Sequence, residues 1–430
     1  MQRSISDAEK HQRLLFLALT VHVYLEYTRL PSVFTFLGPL QLSALSMYLL
    51  VALWIFKGNK AVLRDNCSRM ALAFLVLMAI HVPIARNNFY AYQMTTTTAW
   101  LVFGLAFPLA SIIDSEQRLA RFVHHWILIH GFICIYVMTH AGQGTGGFLE
   151  DENDVSLALL AGLPYAFYLS VAPGISSGRK WLYRLVVLLC LAGVVASKSR
   201  GGFVGLLAVV GVMWWLSEKK FRNLAIALGL SAVAGAAVVS VLPSGYTEDM
   251  ASISDEGDGT RRERLYSWGI GWRMFLDNPV LGVGPGNYAW SVAHYEMQMT
   301  PEERKGHKSV AGRVSHSLYF TLIPELGVVG VALYFGMIFS TVSRLRRIHR
   351  QPKTRAGPAG RRTDLTALMA RAALVSLVAY LSAGAFITVI YYPHFWFYIG
   401  FALAVINIAA RQVAAAPLEG AGGNTLGRRT

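Results

Sequence analysis

Charge is scarce in this chain. Only 15% of its 430 residues are Asp, Glu, Lys or Arg, and 54% are hydrophobic; a soluble domain carries roughly 25% charged residues. Acidic residues are scarcer still, 24 against 39 basic ones. Cysteine is nearly absent. Cys67, Cys134 and Cys190 lie in or beside apolar runs and show neither a disulfide framework nor metal-ligand spacing. These deficits exclude an ordinary soluble enzyme and a disulfide-stapled domain. The net charge of +15 would suggest nucleic acid in a soluble protein. No basic–aromatic platform stands outside the apolar runs, so no nucleic-acid partner is expected.

Long apolar runs are what the chain has instead. Stretches of about 20 residues cross a hydrocarbon core of about 30 Å as helices, and mean hydropathy is +0.43. The pattern predicts an all-α, polytopic membrane protein with about twelve transmembrane helices and a large helical loop outside the bilayer. Nine helices fall within residues 1–242 and three within 316–410. Residues 243–315 form the external loop, with an amphipathic helix, and 411–430 read as a disordered tail.

Lys and Arg fix the orientation. Arg3, Lys10, Lys57, Lys60, Arg118, Arg179, Lys180, Lys219 and Lys220 fall in alternate connections, and Arg344, Arg346, Arg347 and Arg350 form a dense cluster. The remaining short connections offer only Arg29, Arg86, Lys198 and Arg200. The positive-inside rule then puts both termini in the cytoplasm and the long loop outside. Within the first span, Glu26 and Arg29 are spaced to pair on one helix face.

Arg200 stands out against that frame. Ser197-Lys198-Ser199-Arg200-Gly201-Gly202 separates two apolar runs and is too short for an ordinary loop. Cations at a point where the chain leaves and re-enters the bilayer call for an anion. Downstream, Arg261–Asp277 reads as an amphipathic helix with Leu265, Trp268, Trp272 and Phe275/Leu276 on one face, suited to the membrane interface. Thr260 and Glu263 have capping-box spacing. Arg261, Arg262 and Arg264 crowd its first turn, where the helix dipole is already positive. Two readings stand: an anion bound at that terminus, or neutralisation by Asp255, Glu256 and Asp258.

Other features divide similarly. Leu281–Asn287 is glycine-rich but lacks the strand and Lys-Ser/Thr of a phosphate loop, so it reads as a strained turn. His316 opens the tenth span, either as an interfacial cap or as a general base, with Tyr319 and Phe320 placed to line an acceptor groove. Glu325 needs a partner inside a span, with Arg371 and His394 available. Arg86 is a third outer cation. Glu150–Asp154 reads as a solvated acidic loop, its carboxylates too contiguous for chelation.

Three features together resemble the bacterial O-antigen ligase family and its relatives, the O-antigen polymerases and protein O-oligosaccharyltransferases. They are Ser199-Arg200-Gly201-Gly202; Arg264 with Trp268, leading to Asn278–Asn287; and His316 with Tyr319 and Glu325-Leu326-Gly327-Val328-Val329-Gly330. The resemblance implies transfer of a glycan from an undecaprenyl-diphosphate carrier to a lipid A–core hydroxyl at the periplasmic face of the bacterial inner membrane. It implies His316, Arg200 and Arg264 as catalytic residues, and Arg86, Lys198, Arg261 and Tyr319 as substrate contacts. Without a metal-ligand cluster or an evident protein nucleophile, inverting transfer without metal or other cofactor is expected. Polymerase and protein-transferase activities need the same donor site, and a lipid-linked glycan flippase is the alternative from another class.

Overall fold

The structure, a computed structural model, describes residues 2–217, 220–221, 259–350 and 363–415. The expected span at 223–242, the acidic residues Asp255, Glu256 and Asp258, and residues 416–430 of the expected tail lie outside the described residues; residues 411–415, read as disordered, continue the last helix. Within them the chain is helical, with no β-strand. The bundle helices are α1 (Gln2–Thr28), α2 (Leu42–Lys57), α3 (Asn66–His81), α4 (Asn88–Ile112), α5 (Glu116–Thr139), α6 (Glu152–Val171), α7 (Ser177–Ala196) and α8 (Arg200–Trp215). After the undescribed segment come α9 (Gly259–Asp277), α10 (Tyr288–Gln298), α11 (Tyr319–Arg350), α12 (Thr363–Ala383) and α13 (Pro393–Ala415). Among the described residues, seven helices are long and apolar enough to cross a membrane; α3 and α8 are shorter apolar helices. The protein is a polytopic all-α membrane protein.

Burial separates inner from outer helices. The apolar window of α6 is 89% buried, whereas that of Thr35–Lys57 is 11% buried. Helix α6 packs against α7 and α12, and α12 in turn against α8 and α11. Its buried face is built from Leu, Ala and Gly, and small residues let helices approach closely where lipid supplies no hydrophobic drive. On the periphery Phe36, Phe56, Trp181 and Phe339 are exposed among the described residues, an apolar surface suited to lipid. The three cysteines are free and buried as small core residues, the Cys134 and Cys190 sulfurs 3.4 Å apart. Arg29 pairs with Glu26 at 3.8 Å.

Helices α9 and α10 form a separate small core. Tyr266, Ile270 and Met274, at four-residue spacing, bury against Tyr288, Val292 and Tyr295. Asn278-Pro279 ends α9, since the residue before proline is driven out of the helical region. The stripe read from the sequence is the opposite face: Leu265, Trp272 and Leu276 are exposed. Helix α9 thus carries two apolar faces, one for its own core and one turned outward. The cap read at Thr260 lies outside the described side chains, and Glu263 reaches Arg313 at 2.8 Å.

Candidate functional site

The site grows from two interruptions in the helices. At the first, α7 ends at Ser197, whose hydroxyl donates to the Val194 carbonyl (2.8 Å). Lys198 then takes a left-handed conformation (φ 54°). Ser199 caps α8 by accepting from the Gly202 amide (2.8 Å) and donates its own hydroxyl to Asn153 Oδ1 (2.7 Å). Ser197 and Ser199 are buried and satisfy the backbone, while Lys198 and Arg200 are exposed. Two glycines follow because α8 crowds its neighbours: a Cβ on Gly201 would press on Phe386, and one on Gly202 on Ser156.

The second interruption lies inside α11. Gly327 is non-helical (φ 57°), and a Cβ there would strike the Val280 backbone. The glycine-rich turn after α9 threads into this gap. Val283 and Gly284 donate to the carbonyls of Pro324 and Glu325 (both 2.9 Å), and Val328 donates back to Pro279 (2.9 Å). Gly282, Gly284 and Gly286 all have positive φ, which only glycine adopts without cost. The turn is structural, as its sequence suggested.

Glu325 locks this splice. Its carboxylate accepts from the amides of Gly286 (2.8 Å) and Tyr288 (2.9 Å) and from the Tyr391 hydroxyl. Neither Arg371 nor His394 partners it. Arg371 bonds to His349 (2.7 Å) instead, and His394 lies in an aromatic cluster with Tyr27 and Phe148. Sequence spacing found the need for a partner but not the partner, because two of the three donors are backbone amides.

His316 sits between the interruptions. It is outside the helix, in a left-handed conformation (φ 50°), which histidine tolerates better than most residues. Its neighbours hold the segment firmly. The Ser315 carbonyl accepts from Trp268 Nε1 (2.9 Å), Leu318 donates to the Gly384 carbonyl (2.7 Å), and Ser315 and Thr321 share a hydroxyl contact (2.7 Å). Trp268 stacks flat on Phe320, 4.8 Å between centroids. Partial burial, then the Arg264 charge, hold the His316 imidazole below its ordinary pKa of 6.5; Asp151 opposes this and Arg313 adds to it.

Asp151 comes from the loop read as solvated, and that reading needs correction. Its carboxylate caps α6 by accepting from the amides of Asn153 (2.8 Å) and Asp154 (2.9 Å), and Asp154 is buried. The signal was present as an Asp three residues ahead of an acidic residue at a helix start.

The sequence-derived residues therefore separate into two groups. His316 lies within electrostatic reach of half-buried Arg264. Arg200 joins their end of the bundle through shared supports: Gly201 lies against Phe386, Leu318 is bonded to Gly384 of the same turn, and Ser199 is bonded to Asn153 beside Asp151. Lys198 accompanies Arg200, and exposed Arg261 stands one turn before Arg264. Tyr319 directs its hydroxyl to the Leu381 carbonyl (2.9 Å). Arg86 is elsewhere. It lines a cavity with Asn278 and Tyr295 at the far end of α9.

Residues 185–335, which hold both interruptions and His316, match the family profile described as O-antigen ligase. The chain is also similar to an O-antigen ligase of Salmonella typhimurium (strain LT2), 22% identical over 297 residues, 65% of this chain and 70% of that protein. The matched segment carries the Arg200, Arg264 and His316 motifs in the order their resemblance required, and over that segment the chain is similar to the O-antigen ligase family.

Proposed function

We propose that this protein moves a glycan from an undecaprenyl-diphosphate carrier onto a lipid A–core oligosaccharide hydroxyl, at the periplasmic face of the inner membrane with both termini cytoplasmic. The observation that carries this reading is the placement of His316, in its left-handed turn, within electrostatic reach of Arg264 at one end of the bundle, its imidazole held below the ordinary value. A neutral imidazole is the form that accepts a proton.

The chemistry asks little more. The acceptor oxygen attacks the anomeric carbon as the bond from that carbon to the diphosphate oxygen breaks. The bonding pair leaves with the diphosphate, the hydroxyl proton passes to His316, and configuration inverts. Arg200 and Arg264 offset charge developing on the leaving group. Guanidinium suits this because its planar fork pairs with phosphate oxygens and stays protonated. Arg261 and Lys198 add positive potential around the same end. The outward apolar face of α9, with exposed Trp272, supports a helix resting at the membrane surface, where a polyprenyl headgroup lies.

Purified protein incubated with carrier-linked glycan and each acceptor class, with chelator present, tests the reading. Label on lipid A–core is the expected result. Label on a lengthened carrier-linked glycan or on protein instead would replace the ligase with a polymerase or a protein transferase, and transbilayer carrier movement without transfer would replace it with a flippase.

A further inference from the structure

The cavity at the far end of α9 belongs to none of these roles. It encloses about 550 Å³ between the end of α3 and the start of the glycine-rich turn, with Arg86, Asn278, Ser291, His294 and Tyr295 among its lining residues. Arg86 is an exposed cation of the lining, and among the described residues no carboxylate forms a salt bridge with it. Asp277, outside the lining, hydrogen-bonds the Tyr295 hydroxyl, which also accepts from Asn278 Nδ2 (3.2 Å), and Arg86 offsets the Asp277 charge there. The Gln298 amide meets His294 Nε2 (3.0 Å), leaving Nδ1 as that ring's donor. Ile84 and Val280, which also line the cavity, are among the exposed large apolar side chains. The Arg86 guanidinium, the Ser291 hydroxyl and the His294 Nδ1 donor beside an apolar rim suit a phosphate on a sugar, attached to an acyl chain.

Distance separates this cavity from the transfer site. Arg264 to Asp277 is about 20 Å of continuous helix at 1.5 Å per residue, with His316 near the first end and Arg86 near the second. One diphosphate is far too small to touch both. Resting on the ligase reading, we propose that this cavity holds the phosphorylated sugar headgroup of the acceptor glycolipid, anchoring it in the bilayer while its oligosaccharide spans the length of α9 to His316. Arg86 is then an acceptor-binding residue and makes no contact with the donor diphosphate. The arrangement fixes the lipid end of a long substrate and leaves the reacting hydroxyl to be delivered by the sugars between.

The test uses full-length protein in nanodiscs and reads binding and transfer separately. Wild-type protein is expected to bind lipid A–core bearing its phosphates and to bind the dephosphorylated glycolipid more weakly. Arg86→Ala is expected to weaken binding of the phosphorylated form about 10- to 100-fold, leave the dephosphorylated form unchanged, and raise acceptor KM with little change in kcat. Arg86→Lys should recover much of the loss. Donor binding should be unaffected by Arg86→Ala and impaired by Arg200→Ala. Equal binding of both glycolipids, or a donor defect in Arg86→Ala with acceptor binding intact, would overturn the assignment. Displacement of the glycolipid by millimolar inorganic phosphate would also overturn it, in favour of a free-anion site. Phosphate-dependent binding lost in Arg86→Ala, but with no transfer to lipid A–core, would uphold the cavity and reject the ligase reaction.

Discussion

The interruption between α7 and α8 and the interruption inside α11 solve the same backbone problem with opposite side chains. At Ser197–Arg200 two buried serines satisfy the local amides and carbonyls, and the ionisable residues Lys198 and Arg200 are exposed. At Pro324–Val328 the ionisable residue is turned inward, and both oxygens of Glu325 accept hydrogen bonds. One break leaves its ionisable side chains exposed; the other buries a carboxylate to join the α9–α10 layer to the bundle. An ionisable group near a family motif therefore has two distinct meanings here, and substitution separates them.

The largest expected effect is at the buried carboxylate. Glu325→Ala leaves the Tyr288 amide and the Tyr391 hydroxyl without their acceptor, and the Gly286 amide with only the Tyr391 oxygen (3.1 Å), at about 1–3 kcal/mol for each buried group left without a partner. We expect a destabilisation of about 3 kcal/mol or more, seen as a lower midpoint of thermal unfolding in detergent and a poor monodisperse yield. Stability equal to wild type would erase the difference between the two breaks. His316→Ala comes next, with transfer falling about 10²- to 10⁴-fold, the usual contribution of a positioned general base. His316→Asn gives the sharper comparison, since asparagine also tolerates the left-handed backbone. An unchanged unfolding midpoint with transfer abolished would separate chemistry from fold.

Much of this was legible in the sequence, and the limits have physical causes. Hydrophobic run length gave the membrane class because a bilayer demands it of any spanning helix. The cation-bearing break at Arg200 was legible because charge at a bilayer boundary is conspicuous. Glu325 was legible as a residue needing partners, but its donors at Gly286, Tyr288 and Tyr391 are brought together only by the threading of one segment through another. Arg86 looked like Arg200 in sequence because both lie near helix ends; only the fold places Arg86 in a cavity with Asn278 at the C-terminal end of α9. The second apolar stripe of α9 went unread for a related reason. Tyr266 and its partners form a core with a helix twenty residues downstream, which no single-helix periodicity reports.

Arg200→Lys tests the exposed break directly. Lysine keeps the charge but loses the planar fork, so we expect transfer to fall about 10- to 100-fold, with most of the loss in donor binding and none in the unfolding midpoint. A lysine enzyme of wild-type turnover would mean that charge alone suffices and that the break needs no bidentate contact. Lost stability would mean that Arg200, like Glu325, is chiefly structural.

The smallest effect concerns the electrostatics around His316. Partial burial, Arg264 and Arg313 lower its pKa and Asp151 raises it. A base works when neutral, so transfer falls as pH drops through the His316 pKa, and that acid limb should lie below pH 6.5. Asp151→Asn removes the influence that favours the imidazolium, so the limb should move to still lower pH. Asparagine caps helices as well as aspartate does, which keeps the start of α6 intact. Arg264→Gln removes an opposing influence, and its residual activity should show the limb moved to higher pH. Each displacement should be less than about one pH unit, since a neighbouring charge at a partly solvated ring is screened. The opposite signs carry the argument: weakened substrate binding or a loosened fold lowers the rate at every pH, whereas only a proton-accepting His316 shifts the limb down with one substitution and up with the other.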